Sequence, residues 1–211
     1  MTDKTGLTDL TRDYATGDSP HAHRVPERRR WTAVMMHRWP TVLGIAVAAL
    51  TAIDLQLNVE FVSFLSALVV VMALVYVGAA ILDRRNYAWV VFLAAFAILA
   101  LTQVLDLKIN LPLVYLVVAL AFVMLGVARG QLRRSSRLTL QAAGMLTFGA
   151  TALVAFYVDP DSGGYLVAFA LIGHAAWDAV HYVQNRVVAR SYAEFCAVLD
   201  LLVGAAILLM A

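Results

Sequence analysis

The sequence predicts an all-α polytopic membrane protein of about seven transmembrane helices, three hairpins plus one, with its N-terminus cytoplasmic and its C-terminus outside. Three observations predict it. Hydrophobic residues fill 62% of the 211 positions and the mean hydropathy is +0.79, whereas soluble chains are roughly 45–50% apolar. Charged residues make up 14% of the chain, against about 25% in a globular protein, and they gather in short stretches between long apolar runs. Those runs approach the roughly 20 residues that a helix rising about 1.5 Å per residue needs to cross a hydrocarbon core about 30 Å thick.

Residues 1–30 read as a cytoplasmic tail, with Lys4, Arg12, Arg24 and the run Arg28-Arg29-Arg30 set among Asp3, Asp9, Asp13, Asp18 and Glu27. No apolar core of a cleavable signal is present. A segment this polar buries too little apolar surface to offset the entropy of ordering, so it is predicted to be disordered. Its His21 and His23 are read as solvated spacers. Residues 31–211 form the transmembrane domain, with spans predicted at 40–57, 60–82, 87–107, 111–129, 138–158, 164–184 and 191–210. Orientation follows from basic residues, because cytoplasmic loops retain Lys and Arg. With the tail inside, fifteen of the 16 basic residues are cytoplasmic and Lys108 alone is outside. Trp31, Trp39, Tyr87 and Trp89 fall near the cytoplasmic boundaries, where aromatic belts form. The basic loops satisfy topology and anionic lipids and give no reason to expect nucleic acid. The expected setting is the plasma (inner) membrane, with an oligomer or larger complex left open.

The ends of the first and third spans resemble each other: Leu50-Thr51 leads to Asp54 and Asn58, and Leu101-Thr102 to Asp106 and Asn110. Asp159 continues the series at the close of the fifth span. Repeats of this kind occur in transporters, whose sites lie near the membrane midplane. Here the acids fall at the outer ends, and they are read as helix terminators facing water.

The chemistry is concentrated in the last two helices. His174, Asp178 and His181 stand at i, i+4 and i+7, on one helical face. Cys196 and Asp200 stand at i and i+4 on the next helix, with Tyr192 one turn earlier. Ionisable groups inside a span cost on the order of 3 kcal/mol each, so they are functional candidates by default. In an antiparallel hairpin, residues at equal depth share a constant sum of residue numbers. That rule sets His174 level with Asp200, roughly 15 Å from the cytoplasmic end, and Asp178 level with Cys196. Imidazole and carboxylate are ligands that zinc, iron or manganese accept. The expected ligands are therefore His174, Asp178, His181 and Asp200 around a divalent metal such as Zn, with His181 and Asp178 as candidate catalytic acid–base groups. Cys196 is read as a buried small hydrophobe rather than a nucleophile. Ser191 and Glu194 fit the S-x-x-E capping box at the start of the last helix.

The stretch His174 to His181 followed by Tyr192 to Asp200 resembles uncharacterised small multi-pass bacterial membrane proteins that carry H-x-x-W-D-x-x-H and then Y-x-x-F-C-x-x-x-D. The likeness covers some 30 of the 211 residues. Those proteins often carry a second histidine where this chain has Tyr182. The resemblance implies which residues to test and no reaction.

A retinal protein is excluded, because the only lysines are Lys4 and Lys108 and neither lies in the last helix. No P-loop, dinucleotide fingerprint or nucleophile elbow is present. Three functions remain, in this order: a membrane-embedded enzyme acting on a lipid-type substrate at the cytoplasmic leaflet, a transporter or ion- or proton-binding protein, and a structural subunit of a membrane complex.

Overall fold

The computed structural model describes residues 38–53, 59–131 and 136–210. These form seven helices, α1 (Trp39–Ile53), α2 (Val59–Leu82), α3 (Tyr87–Val104), α4 (Leu111–Ala128), α5 (Ser136–Tyr157), α6 (Pro160–Gln184) and α7 (Arg190–Met210), with no strand among the described residues. The helices α2 to α7 are long and apolar enough to cross a membrane, and α1 is described over 15 residues to Ile53, the last four residues of its predicted span lying outside the described residues. The tail with His21 and His23, Trp31, Asp54, Asn58, Arg133 and Arg134 lie outside the described residues.

The helix α2 is the axis of the bundle because it is apolar all round. Every residue from Leu65 to Ala79 is buried, as expected of a helix with no polar face to present to a surface. Around it pack α3, α4, α5 and α6, while α7 packs on α6 and also carries α1. The outer helices bury only a stripe. In α3 that stripe is Ala88, Phe92, Ala95, Leu99 and Thr102, at helical spacing, and Val90, Leu101 and Val104 on the other face are 58%, 56% and 81% exposed. An exposed apolar face this continuous suits lipid.

Helix ends follow from local chemistry. Asp83 and Asp106 adopt left-handed backbone, with φ of 50° each, in the position that glycine usually fills. At the end of α3 the Leu107 N–H reaches Thr102 O at 2.9 Å and the Asp106 N–H reaches Gln103 O at 3.2 Å, a Schellman closure that stops the helix three residues short of its predicted end at 107. Asp106 is thus a helix terminator, and its exposed carboxylate holds Lys108 at 2.6 Å. Asp159 caps α6 by accepting the Ser162 N–H at 2.9 Å, with Pro160 as the first helical residue. The Ser162 backbone N–H, then its hydroxyl, hold the Asp159 carboxyl below the ordinary carboxylate range.

The start of α7 departs from the expected capping box. Ser191 Oγ accepts from Trp89 Nε1 at 3.0 Å, and Glu194 accepts from the Thr41 hydroxyl and from Arg38 Nη1 at 3.4 Å. Both side chains tie α7 to α1 and α3 instead of closing the first turn. The loops on either side of α2–α3 and α6–α7 meet here too, since the Ala189 N–H donates to Arg85 O at 3.2 Å. Arg38, Arg84, Arg85, Arg186 and Arg190 therefore share one end of the bundle, with Lys108 at the other.

Candidate metal centre

The pair α6 and α7 approaches closely because glycine opens the contact: a Cβ on Gly204 would stand 2.9 Å from Ala168 O and 2.9 Å from Ile172 Cγ1. At that spacing the polar stripes of both helices meet. His174 Nδ1 lies 2.9 Å from Asp200 Oδ2 and 3.1 Å from Asp178 Oδ2. The level pairing of His174 with Asp200, read from residue numbers alone, is thus a direct contact. The helix α2 adds a fourth group that the sequence did not single out. Its Tyr76 hydroxyl donates to Asp178 Oδ1 in a short hydrogen bond. A signal for it exists, because tyrosine in a span favours the interface and Tyr76 sits inside a wholly buried apolar run.

The cluster is sealed from surface. His174 is 1% exposed, and Asp178 and Asp200 are fully buried. The rings of Tyr76 and Phe148 stand edge-on to His174, with centroids at 5.6 Å and 5.0 Å, and fix its plane. Three buried atoms have no hydrogen-bond partner: His174 Nε2, Asp178 Oδ2 and Asp200 Oδ1. Each unsatisfied buried polar atom costs about 1–3 kcal/mol, more when charged, and an apolar core of the same shape would carry none of that cost. Charge tells the same story. Two carboxylates beside a neutral imidazole carry two negative charges, and a proton on the imidazole removes one of them. A divalent cation removes both.

The donor set fits such an ion. One nitrogen of His174 and one oxygen each of Asp178 and Asp200 lie within 4.8 Å of one another. Metal–ligand bonds of about 2.0–2.2 Å put neighbouring ligand atoms roughly 3.0–3.6 Å apart, so the two contacts of 2.9 and 3.1 Å need to open by only a few tenths of an ångström. Three protein ligands leave further coordination positions for water or substrate.

His181 does not join this group. Its Nδ1 lies 2.8 Å from Trp177 O, and a carbonyl only accepts, so Nδ1 carries the hydrogen. Its Nε2, at 3.0 Å from Gln141 Nε2, then accepts from that amide. Both ring nitrogens of His181 are thus engaged outside the cluster of His174, Asp178 and Asp200, and its ring packs edge-on to Tyr76 at 4.8 Å. Asp178, the other candidate acid–base group, accepts a hydrogen bond from the Tyr76 hydroxyl. Cys196 is fully buried. Tyr192, one turn before it, is also fully buried, with its hydroxyl beside the Cys196 thiol.

Neither a protein-family model, nor a curated protein, nor a solved structure matches this chain.

Proposed function

We propose that this protein is a membrane-embedded, metal-dependent enzyme that acts on a lipid-type substrate at the cytoplasmic leaflet, with His174, Asp178 and Asp200 as ligands to a divalent cation such as Zn, Fe or Mn. One observation supports the reading: a histidine nitrogen and two carboxylate oxygens converge within 4.8 Å of one another at mid-bundle, on three buried residues that each keep a polar atom without a hydrogen-bond partner. In this reading all seven helices cross the inner (plasma) membrane, the basic end faces the cytoplasm, and the resemblance in α6 and α7 marks proteins sharing the centre.

A bound cation with an open position lowers the pKa of its water to about 7 and polarises a carbonyl. The matching reaction is hydrolysis of an ester or amide. Water adds to the carbonyl carbon, the C–O or C–N bond breaks, and the water's proton ends on the departing oxygen or nitrogen. Asp178, already hydrogen-bonded to Tyr76, is the group positioned to carry that proton. The same chain of Tyr76, Asp178, His174 and Asp200 supports a second reading, a proton or ion relay in transport, because it is a continuous polar path inside a span.

Metal content of detergent-purified protein by mass spectrometry separates them. The enzyme reading expects near-stoichiometric metal, lost in folded His174→Ala and Asp200→Ala variants. Metal-free wild type would leave the relay as the better account.

A further inference from the structure

At the basic end, the turn between α2 and α3 and the loop between α6 and α7 enclose a hollow of about 550 Å³. Three arginines line it, Arg84 and Arg85 from the first connection and Arg186 from the second, against one carboxylate, Asp83. The two connections are fixed to each other. The Ala189 N–H donates to Arg85 O at 3.2 Å, and Arg85 Nη1 donates to Asn185 O at 3.3 Å. Asp83 and Asn185 both hold left-handed backbone, with φ of 50° and 48°, and turn the chain sharply at the ends of α2 and α6. The convergence of the three arginines on one space is thus set by backbone geometry.

Their charge is not answered within the chain. Among the described residues the ion pairs join Arg38 to Glu194, Lys108 to Asp106, and His174 to its two aspartates, and none includes Arg84, Arg85 or Arg186. Arg84 lies over the Tyr87 ring, 5.9 Å from its centroid, a contact that leaves the N–H edge of the guanidinium open. Arg85 uses one N–H on Asn185 and keeps the rest. Arg190, on the same end, behaves differently: its Nε donates to Tyr182 O at 3.2 Å and its guanidinium stands 5.8 Å from that ring. Retention of positive charge on one side of a membrane requires arginines at this end but not their convergence. The N-terminus of α3 adds to the field. Asn86 precedes its first turn without a side-chain capping bond, that turn holds no acidic residue, and Asn86 and Tyr87 line the hollow, so the positive end of the helix dipole borders it.

Three guanidiniums against one carboxylate leave a net charge of about +2, which a phosphate monoester matches near neutral pH and a singly charged diester does not. Guanidinium edges also take phosphate oxygens two at a time. We propose that this hollow binds a phosphate monoester, the head of a membrane lipid or a soluble ester of the same chemistry, through Arg84, Arg85 and Arg186. The site is separate from the buried centre at His174, and binding here rests on no reaction there.

Native mass spectrometry of the detergent-purified full chain tests it, with phosphatidic acid as the monoester lipid and phosphatidylglycerol of the same chains as the anionic diester. Phosphatidic acid is expected to bind roughly tenfold more tightly, as one further charge-assisted hydrogen bond implies. Arg186→Gln and Arg85→Gln are each expected to weaken it by about tenfold. Arg137→Gln removes the same charge at the start of α5, on the same end of the bundle, and is expected to change binding by no more than about twofold, as a screened surface charge does. Asp83→Asn is expected to tighten binding, since asparagine tolerates the left-handed backbone and removes the opposing charge. Thermal unfolding identifies the variants that stay folded. Glycerol phosphate as competitor names the source: displacement of the lipid makes the soluble ester a ligand, failure to displace it makes the lipid the ligand, and both outcomes support the site. Equal binding of the two lipids would overturn the proposal, as would equal losses in Arg137→Gln and Arg186→Gln or weaker binding by folded Asp83→Asn.

Discussion

Tyr76 and Tyr192 are both buried in the bundle, with ring centroids 6.3 Å apart, and differ in what their hydroxyls do. Tyr76 donates to Asp178, whereas the Tyr192 hydroxyl has the Cys196 thiol beside it, a weak partner. Removing one half of a buried hydrogen bond to a carboxylate leaves the other half unsatisfied, at a cost of about 1–3 kcal/mol, while removing a hydroxyl paired only with a thiol costs little. Tyr76→Phe is therefore expected to lower the thermal unfolding temperature in detergent, and Tyr192→Phe to leave it nearly unchanged. Groups that orient a metal ligand typically matter by about 10–100-fold in affinity, so Tyr76→Phe is also expected to weaken metal uptake by stripped protein. Equal behaviour of the two variants in both assays would remove Tyr76 from the centre. The same contrast shows what residue-level reading of a sequence reaches. Spacing of four within α6 and within α7 is a property of the chain, and it brought His174, Asp178 and Asp200 together on paper. Tyr76 comes from a helix about 100 residues away with no polar periodicity, so its place in an apolar run is the one mark it leaves on the sequence, and packing reveals what it touches. His181 shares the face of His174 but lies nearly two turns on, where Trp177 O and Gln141 claim its nitrogens.

At the scale of helices, the centre depends on how close α6 and α7 lie. Gly204 sets that distance: a methyl group there meets the Ala168 carbonyl oxygen and Ile172 at 2.9 Å each, and backbone cannot rotate away as a side chain can. Gly173, one residue from His174, has only Phe148 Cε1 at 3.6 Å from the same construction, an ordinary contact. Gly204→Ala is expected to push the helices apart, destabilise the protein and loosen the 2.9 Å contact of His174 with Asp200. Gly173→Ala is expected to be tolerated, with a gain of up to about 1 kcal/mol from helix propensity. Thermal unfolding of both variants, with metal binding as the second readout, checks this. Helix existence was legible because apolar runs of about 20 residues separated by Arg, Asp and Asn leave little choice of element. The placement of α1 was not, because it depends on α1 choosing α7 over its sequence neighbour α2. That choice is made by Gly44 and by Glu194 reaching Thr41, and Glu194 reads locally as half of a capping box.

The whole molecule poses the question of α1. The 15 described residues of α1 rise about 22 Å at 1.5 Å each, against a hydrocarbon core about 30 Å thick, while α2 to α7 are long enough to cross. If α1 crosses, the chain makes seven passes, and the tail before Arg38, with its basic run, lies on the same side as Arg84, Arg85, Arg186 and Arg190. Arg38, at the start of α1, sits at the basic end beside Glu194, so a tail on the Lys108 side has to double back past the bundle, and it sets all six basic residues that precede Arg38 apart from the other arginines, against the usual placement of positive charge. The charge argument favours crossing, with a locally thinned bilayer or the following residues making up the length. Single cysteines decide it. In a Cys196→Ala background, Ser19→Cys, Lys108→Cys and Arg186→Cys are exposed to a membrane-impermeant maleimide in intact expressing cells. Lys108→Cys is expected to react at once, and Ser19→Cys and Arg186→Cys only after the membrane is permeabilised. Reaction of Ser19→Cys together with Lys108→Cys would overturn a crossing α1.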